Sequence, residues 1–114
     1  MSAYEIPNLR FSAESNAAVA RRRFVKLLST EKAAVAGAGE AVVGASMNEA
    51  TAAGQVLEIA DGIVMVEAGA AVNAGAEVQS DAAGKAITLA AGIKAGVAVT
   101  TAAGAGELIS VKIS

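Results

Sequence analysis

The sequence predicts an all-β protein, a small compact β-barrel or sandwich of short strands with an extended N-terminal arm. Three observations predict it. From Ala33 onward, short β-branched runs are separated by glycines at Gly37, Gly39, Gly44, Gly54, Gly62, Gly69, Gly75, Gly84, Gly92, Gly96, Gly104 and Gly106. Short strands with turn signals every ~8–12 residues mark sandwiches and barrels. The final run alternates, with Ile109, Val111 and Ile113 on one face and Ser110, Lys112 and Ser114 on the other. Alanine favours helix, but the glycine spacing past residue 36 leaves no window long enough for a stable one.

Residues 1–15 read as the arm and 16–114 as one β-domain. The arm holds the only proline, Pro7, and the residue before a proline is biased to extended geometry. Tyr4, Ile6, Leu9 and Phe11 are spaced through its polar residues with no strand partner evident, so the arm is expected to dock on a neighbouring protein, the alternative being that it closes the barrel as its own first strand. The first strand is expected over residues 23–28, with Phe24 and Lys26 facing one way and Val25 and Leu27 the other. The stretch "STEK" turns the chain. Further strands are expected over 41–46, 55–60, 63–67, 77–80, 86–90, 97–101 and 108–113. Asp61-Gly62 between two of these predicts a tight hairpin. Asp81 to Lys85 predicts a longer turn, with Gly84 where a positive φ is needed.

With 114 residues and 11.1 kDa the chain has room for one core. That core is thin, because alanine supplies much of the apolar content and buries little area. Burying a Val or Leu stabilises by ~1.5–3 kcal/mol, against a backbone entropy cost of roughly 1–2 kcal/mol per ordered residue. Self-association or a partner surface is therefore expected to contribute. Nine basic against eleven acidic residues give no net basic footprint for nucleic acid. No apolar run approaches the ~20 residues of a membrane span. The start of the chain lacks the basic and apolar regions of a signal peptide, which predicts synthesis in the cytoplasm.

The chemistry-bearing residues are few. Histidine and cysteine are absent, so the commonest general base, thiolate ligands and disulfides are missing. No serine lies in a Gly-x-Ser-x-Gly elbow, and Ser46 after Gly44 reads as a strand end. The run from Gly37 to Gly44 departs from the dinucleotide fingerprint, its third glycine coming two positions late. The carboxylates Glu49, Glu58, Asp61, Glu67, Glu77 and Asp81 are scattered without metal-ligand spacing. Neither catalysis, a metal nor a cofactor is expected. The one dense charge run is Arg21, Arg22 and Arg23. On a strand, Arg21 and Arg23 share a face, as an edge guard or as a basic spot for a neighbouring subunit.

The arm "YEIPNLRFSAE", the segment "VVGAS", the stretch "GQVLEIADGIVMVEAG" and "GAEVQSDAAGKA" occur in the order and phrasing of a known family. In these the chain resembles the capsid cement, or head decoration, proteins of tailed bacteriophages, over nearly its whole length. The resemblance implies a β-fold on the outer surface of a phage head, with the major capsid protein as partner. It implies homotrimers near three-fold positions that clamp coat subunits, with no catalytic residue and no small-molecule ligand. The partner contacts expected are Tyr4, Ile6, Pro7, Leu9, Arg10 and Phe11 of the arm and Arg21, Arg22 and Arg23. A second reading comes from "VEAGAAVNAGAEV" before "SDAAGKA", which echoes a lipoyl or biotinyl carrier domain with Lys85 as the modified lysine. Such carriers flank that lysine with an acidic residue or methionine, which Lys85 lacks.

Overall fold

The computed structural model describes residues 3–114 and contains nine strands: β1 (Ile6–Glu14), β2 (Phe24–Leu27), β3 (Ala33–Val35), β4 (Gly44–Ser46), β5 (Val56–Glu67), β6 (Glu77–Ser80), β7 (Ala86–Thr88), β8 (Gly96–Ala98) and β9 (Leu108–Ile113). All nine belong to one sheet in the order β3-β2-β4-β5-β9-β8-β6-β7, with β1 paired to β5 off that path. Every strand pair is antiparallel, and the sheet curls into a half-barrel. The all-β class is as the sequence predicts, and β6 and β9 fall on the expected residues.

Two expectations are corrected. The segment read as an unpartnered arm is a strand of the sheet, laid along β5 from Ile6 opposite Ile63 to Glu14 opposite Val56. Its partner lies some fifty residues away, so nothing local announces the pairing, yet the ladder satisfies main-chain groups along an edge of β5. The second correction is at Asp61-Gly62, where the chain does not turn back. Val56–Glu67 is one continuous strand. Gly62 does take the positive φ that the hairpin reading assigned it, at 104°. It spends that freedom on a β-bulge, because the register with β1 shifts between Pro7 and Leu9.

The isolated bridges reveal a duplication. Ser15 pairs with Ala33 and Val19 with Ala50, and a little over fifty residues later Ala68 pairs with Ala86 and Val72 with Ala102. The strands follow the same arithmetic: β2, β3 and β4 return as β6, β7 and β8, and the start of β5 returns as β9. β1 returns as the second half of β5. One long strand therefore closes the first unit and opens the second. β1 runs antiparallel to β5, so the two units are opposed in strand direction.

The core follows the repeat. Val19, Val25, Ala33, Ala50, Leu57 and Ile59 form one buried cluster, with Phe11 and Ala13 of β1 packed against it. Their counterparts Val72, Val78, Ala86, Ala102, Ile109 and Val111 lie in the second cluster with Val64 and Val66. Phe24, Ala36, Ala45 and Ala60 of the first unit join that second cluster and so knit the halves together. Phe24 and Val25 are both fully buried, in different clusters, because β2 is covered on both faces.

Candidate docking surface

A strand with polar residues between its apolar ones presents them on one face only if their spacing is even. Ile6 and Leu9 are an odd number apart. The bulge at Asn8 restores the phase: Ile6 stands opposite Ile63, Leu9 opposite Asp61, Phe11 opposite Ile59 and Ala13 opposite Leu57, which are alternate pairs along the ladder. All four side chains thus share one face of β1. Phe11 and Ala13 enter the first core cluster, while Ile6 and Leu9 extend past it, 60% and 56% exposed. Gly62 allows this close approach, since a Cβ there would lie 2.5 Å from the Asn8 nitrogen and 2.9 Å from the Ile6 carbonyl oxygen.

Asp61, opposite Leu9, has no ion-pair partner among the described residues, whereas the charges on the other face of β1 and before its start are matched within the chain. Arg10 donates to Glu58 at 3.0 Å, Lys32 meets Glu14 at 3.3 Å and Arg22 pairs with Glu5. The main chain of Tyr4 is fixed by Ser110, whose Oγ accepts from the Tyr4 nitrogen at 2.7 Å. Pro7 lies on the strand without an N–H to offer. Together with the bulge it blunts the outer edge of β1 against another strand.

The arginine run does not form a strand face. β2 begins at Phe24, and Arg22 is left-handed at φ 64°, so the expected sharing of a face by Arg21 and Arg23 does not arise. Arg22 turns to Glu5, and Arg23 donates to Glu67 at 2.9 Å. Arg21 remains exposed. Of the nine expected contact residues, Ile6, Leu9 and Phe11 share one face of β1, Pro7 and Arg10 lie on the same strand, Tyr4 lies just before it, Arg22 is tied to Glu5, and Arg23 is directed to Glu67.

Other chemistry-bearing residues have structural partners. Ser46 Oγ donates to the Ala20 carbonyl at 2.7 Å and accepts from the Arg23 nitrogen at 3.0 Å. Lys85 lies at the base of its turn rather than at the tip, and its Nζ pairs with Glu67 Oε2 at 3.1 Å. Asp81 Oδ1 caps that turn, accepting from the nitrogens of Ala83 and Lys85. Among the described residues no pocket opens and no group of His, Cys, Asp or Glu is gathered to hold a metal.

Glu67 receives both Lys85 and Arg23. The hydrogen bond from Lys85 holds its carboxyl below the ordinary 4.5, with the Arg23 charge assisting and desolvation opposing. A depressed folded-state pKa adds stability that is present above the unfolded value and lost as pH falls through the folded one. Thermal stability should therefore drop on acidification below about pH 4.5, and Glu67→Gln should flatten part of that drop. Parallel melting-temperature curves for the two proteins across that range would count against the assignment.

The family described as phage cement protein matches residues 5–113. No curated protein matches the chain. Among solved structures, the head fiber gp8.5 N base of bacteriophage phi29 is similar, with a TM-score of 0.76, 18% identity and 93% of each chain covered. That likeness, at such low identity, concerns the fold. The family match spans almost the whole sequence, β1 included, and on it the chain belongs to the phage cement protein family, structural proteins associated with the phage capsid.

Proposed function

We propose that this protein is a capsid cement that sits on the outer surface of a phage head as a homotrimer and stabilises contacts between major capsid protein subunits. The observation that carries the reading is the shelf of Ile6 and Leu9. A bulge with a positive-φ glycine is spent on bringing these side chains into one face, and they are then left uncovered. In the second unit the position equivalent to Ile6 is Ile59, which is buried, and the position equivalent to Leu9 is Gly62, so the exposed pair is particular to β1. The core is thin and alanine-rich, and shared apolar surface adds burial that it lacks, which favours a second copy as the neighbour that covers β1. The phi29 head fiber is likewise a head protein by its description. No step in this role needs turnover, and Lys85 serves it as a structural ion-pair partner instead of a modified lysine.

The paired substitution Ile6→Asp with Leu9→Asp tests this. Both side chains lie outside the core, so circular dichroism and melting should stay close to wild type. Light scattering at micromolar concentration should shift from trimer to monomer, and co-sedimentation with heads should weaken tenfold or more, about 1.4 kcal/mol. A folded variant that remains trimeric and binds heads as tightly would refute the role of the shelf. A wild-type protein that is monomeric both free and on heads would refute the trimer.

A further inference from the structure

A duplicated core is required for two units to fold alike, but duplicated exposed residues are not. The large exposed hydrophobics are Tyr4, Ile6, Leu9, Leu27, Val56, Ile93 and Leu108. Two of them, Val56 and Leu108, occupy equivalent positions in the two units, at the first residue of β5 and of β9. They are 63% and 45% exposed. By contrast, Leu27 corresponds to buried Ser80 and Ile93 to charged Glu40.

The surroundings of the pair are duplicated as well. Each residue follows a turn with a left-handed glycine, Gly54 at φ 87° and Gly106 at φ 92°. The Gly54 nitrogen donates to the Ser15 carbonyl at 2.8 Å, and the Gly106 nitrogen to the Ala68 carbonyl at 2.9 Å. Within the turns the Thr51 nitrogen donates to Gln55 Oε1 at 2.7 Å, and the Ala103 nitrogen to Glu107 Oε1 at 3.2 Å. Opposite Val56 lies Glu14, paired with Lys32, and opposite Leu108 lies Glu67, paired with Lys85. Each site is thus an aliphatic knob beside an alanine-containing turn, with the carboxylate opposite it in an ion pair, although exposed Glu107 stands beside Leu108 where Gln55 stands beside Val56.

The two sites are far apart. Val56 begins β5, and Leu108 pairs with Glu67 at the end of β5. Twelve strand residues reach about 36 Å at most, close to the 35 Å longest dimension of the molecule.

We infer that the Val56 and Leu108 ends are duplicate contacts for one and the same uncharged, apolar feature on two neighbouring coat subunits, so that each chain bridges two of them. The inference rests on the capsid reading above. A coat lattice presents identical features at intervals, which suits a chain that carries the same contact twice. The knobs themselves are aliphatic and the carboxylates opposite them are paired, which suits an apolar recess.

The test is co-sedimentation of the full chain with heads assembled from the cognate coat protein, using Val56→Asp, Leu108→Asp and the double variant. Linking two contacts raises binding by ~10²–10⁴-fold over one alone. Each single variant should therefore bind at least about 100-fold more weakly, the two losses should be similar, and the double variant should not bind. Ile93→Asp, exposed without a counterpart, should bind within about twofold of wild type. Melting curves report folding, and should an aspartate variant misfold, Val56→Thr and Leu108→Thr should show the same equal pattern of loss at smaller size. Folded single variants that bind like wild type, a loss confined to one end, or an equal loss in Ile93→Asp would each overturn the inference. Wild-type protein that fails to bind heads would overturn the capsid reading itself, and this inference with it.

Discussion

Phe24→Ala should destabilise the protein by about 3–5 kcal/mol, toward the upper end of what a buried aromatic costs. Phe24 is fully buried, the one aromatic of a cluster whose other buried members are alanines, valines and Ile109. Short side chains cannot swing into the space a phenyl ring vacates. The backbone cannot close it easily either, because the Phe24 nitrogen donates to the Gly84 carbonyl at 2.7 Å and its carbonyl accepts from Ala36 at 2.9 Å. The equivalent position in the second unit is Glu77, exposed and paired with Lys94 at 3.2 Å, so no second aromatic repeats the contact. Against a total stability of about 5–15 kcal/mol for a domain, a loss of this size would leave little margin. Urea denaturation is the measurement, and a loss below about 1 kcal/mol would contradict the packing described.

The second large effect is expected at Gly96 and its counterpart Gly44. A Cβ at Gly96 would lie 2.1 Å from the Lys112 carbonyl oxygen, and one at Gly44 would lie 2.4 Å from that of Ala60. Both obstacles are main-chain atoms of the neighbouring strand, which must separate to admit a methyl group. Overpacking costs typically about 1–3 kcal/mol, and alanine at either site should reach the top of that range. Gly104→Ala is the contrasting case, with nothing within 4 Å of the added carbon and no positive φ. It should be neutral or stabilise by up to about 1 kcal/mol through the unfolded chain. The urea midpoint should fall for the first two and hold or rise for the third, with similar slopes. A Gly96→Ala protein as stable as wild type would show that β8 and β9 pack less closely than described.

The sequence showed which residues favour strand but not how distant strands pair. Glu77–Ser80 and Leu108–Ile113 were legible because β-propensity, alternation and bounding turns coincide there. Gly62 was legible as a positive-φ position, and its use was misread, since a hairpin and a bulge ask the same freedom of a glycine. The duplication stayed hidden for a related reason. Three left-handed positions recur, but they are Arg22 and Glu31 in the first unit where the second has Gly75 and Gly84, with only Gly54 and Gly106 alike. Glycine punctuation therefore differs between halves that share a backbone. For the docking surface, Tyr4, Ile6, Leu9 and Phe11 stood out as apolar residues among polar ones. The common face of Ile6, Leu9 and Phe11 depends on a register shift that no local pattern encodes. Val56 and Leu108 did not stand out from the expected strands that contain them, because exposure at a strand's first position is decided by the turn before it.

The continuity of β5 has a mechanical consequence. A pull applied to its two ends runs along the strand axis and loads the β1 ladder at one end and the β9 ladder at the other. Hydrogen bonds loaded in that direction must slide past one another together, whereas bonds at a peeling edge fail one at a time. The rate of forced opening then depends on the barrier to collective slip and not on the equilibrium stability of either half. Tension along the long axis would meet a covalent backbone gripped at both ends, and a molecule with only a thin alanine-rich core could carry a load that its thermal stability would not suggest.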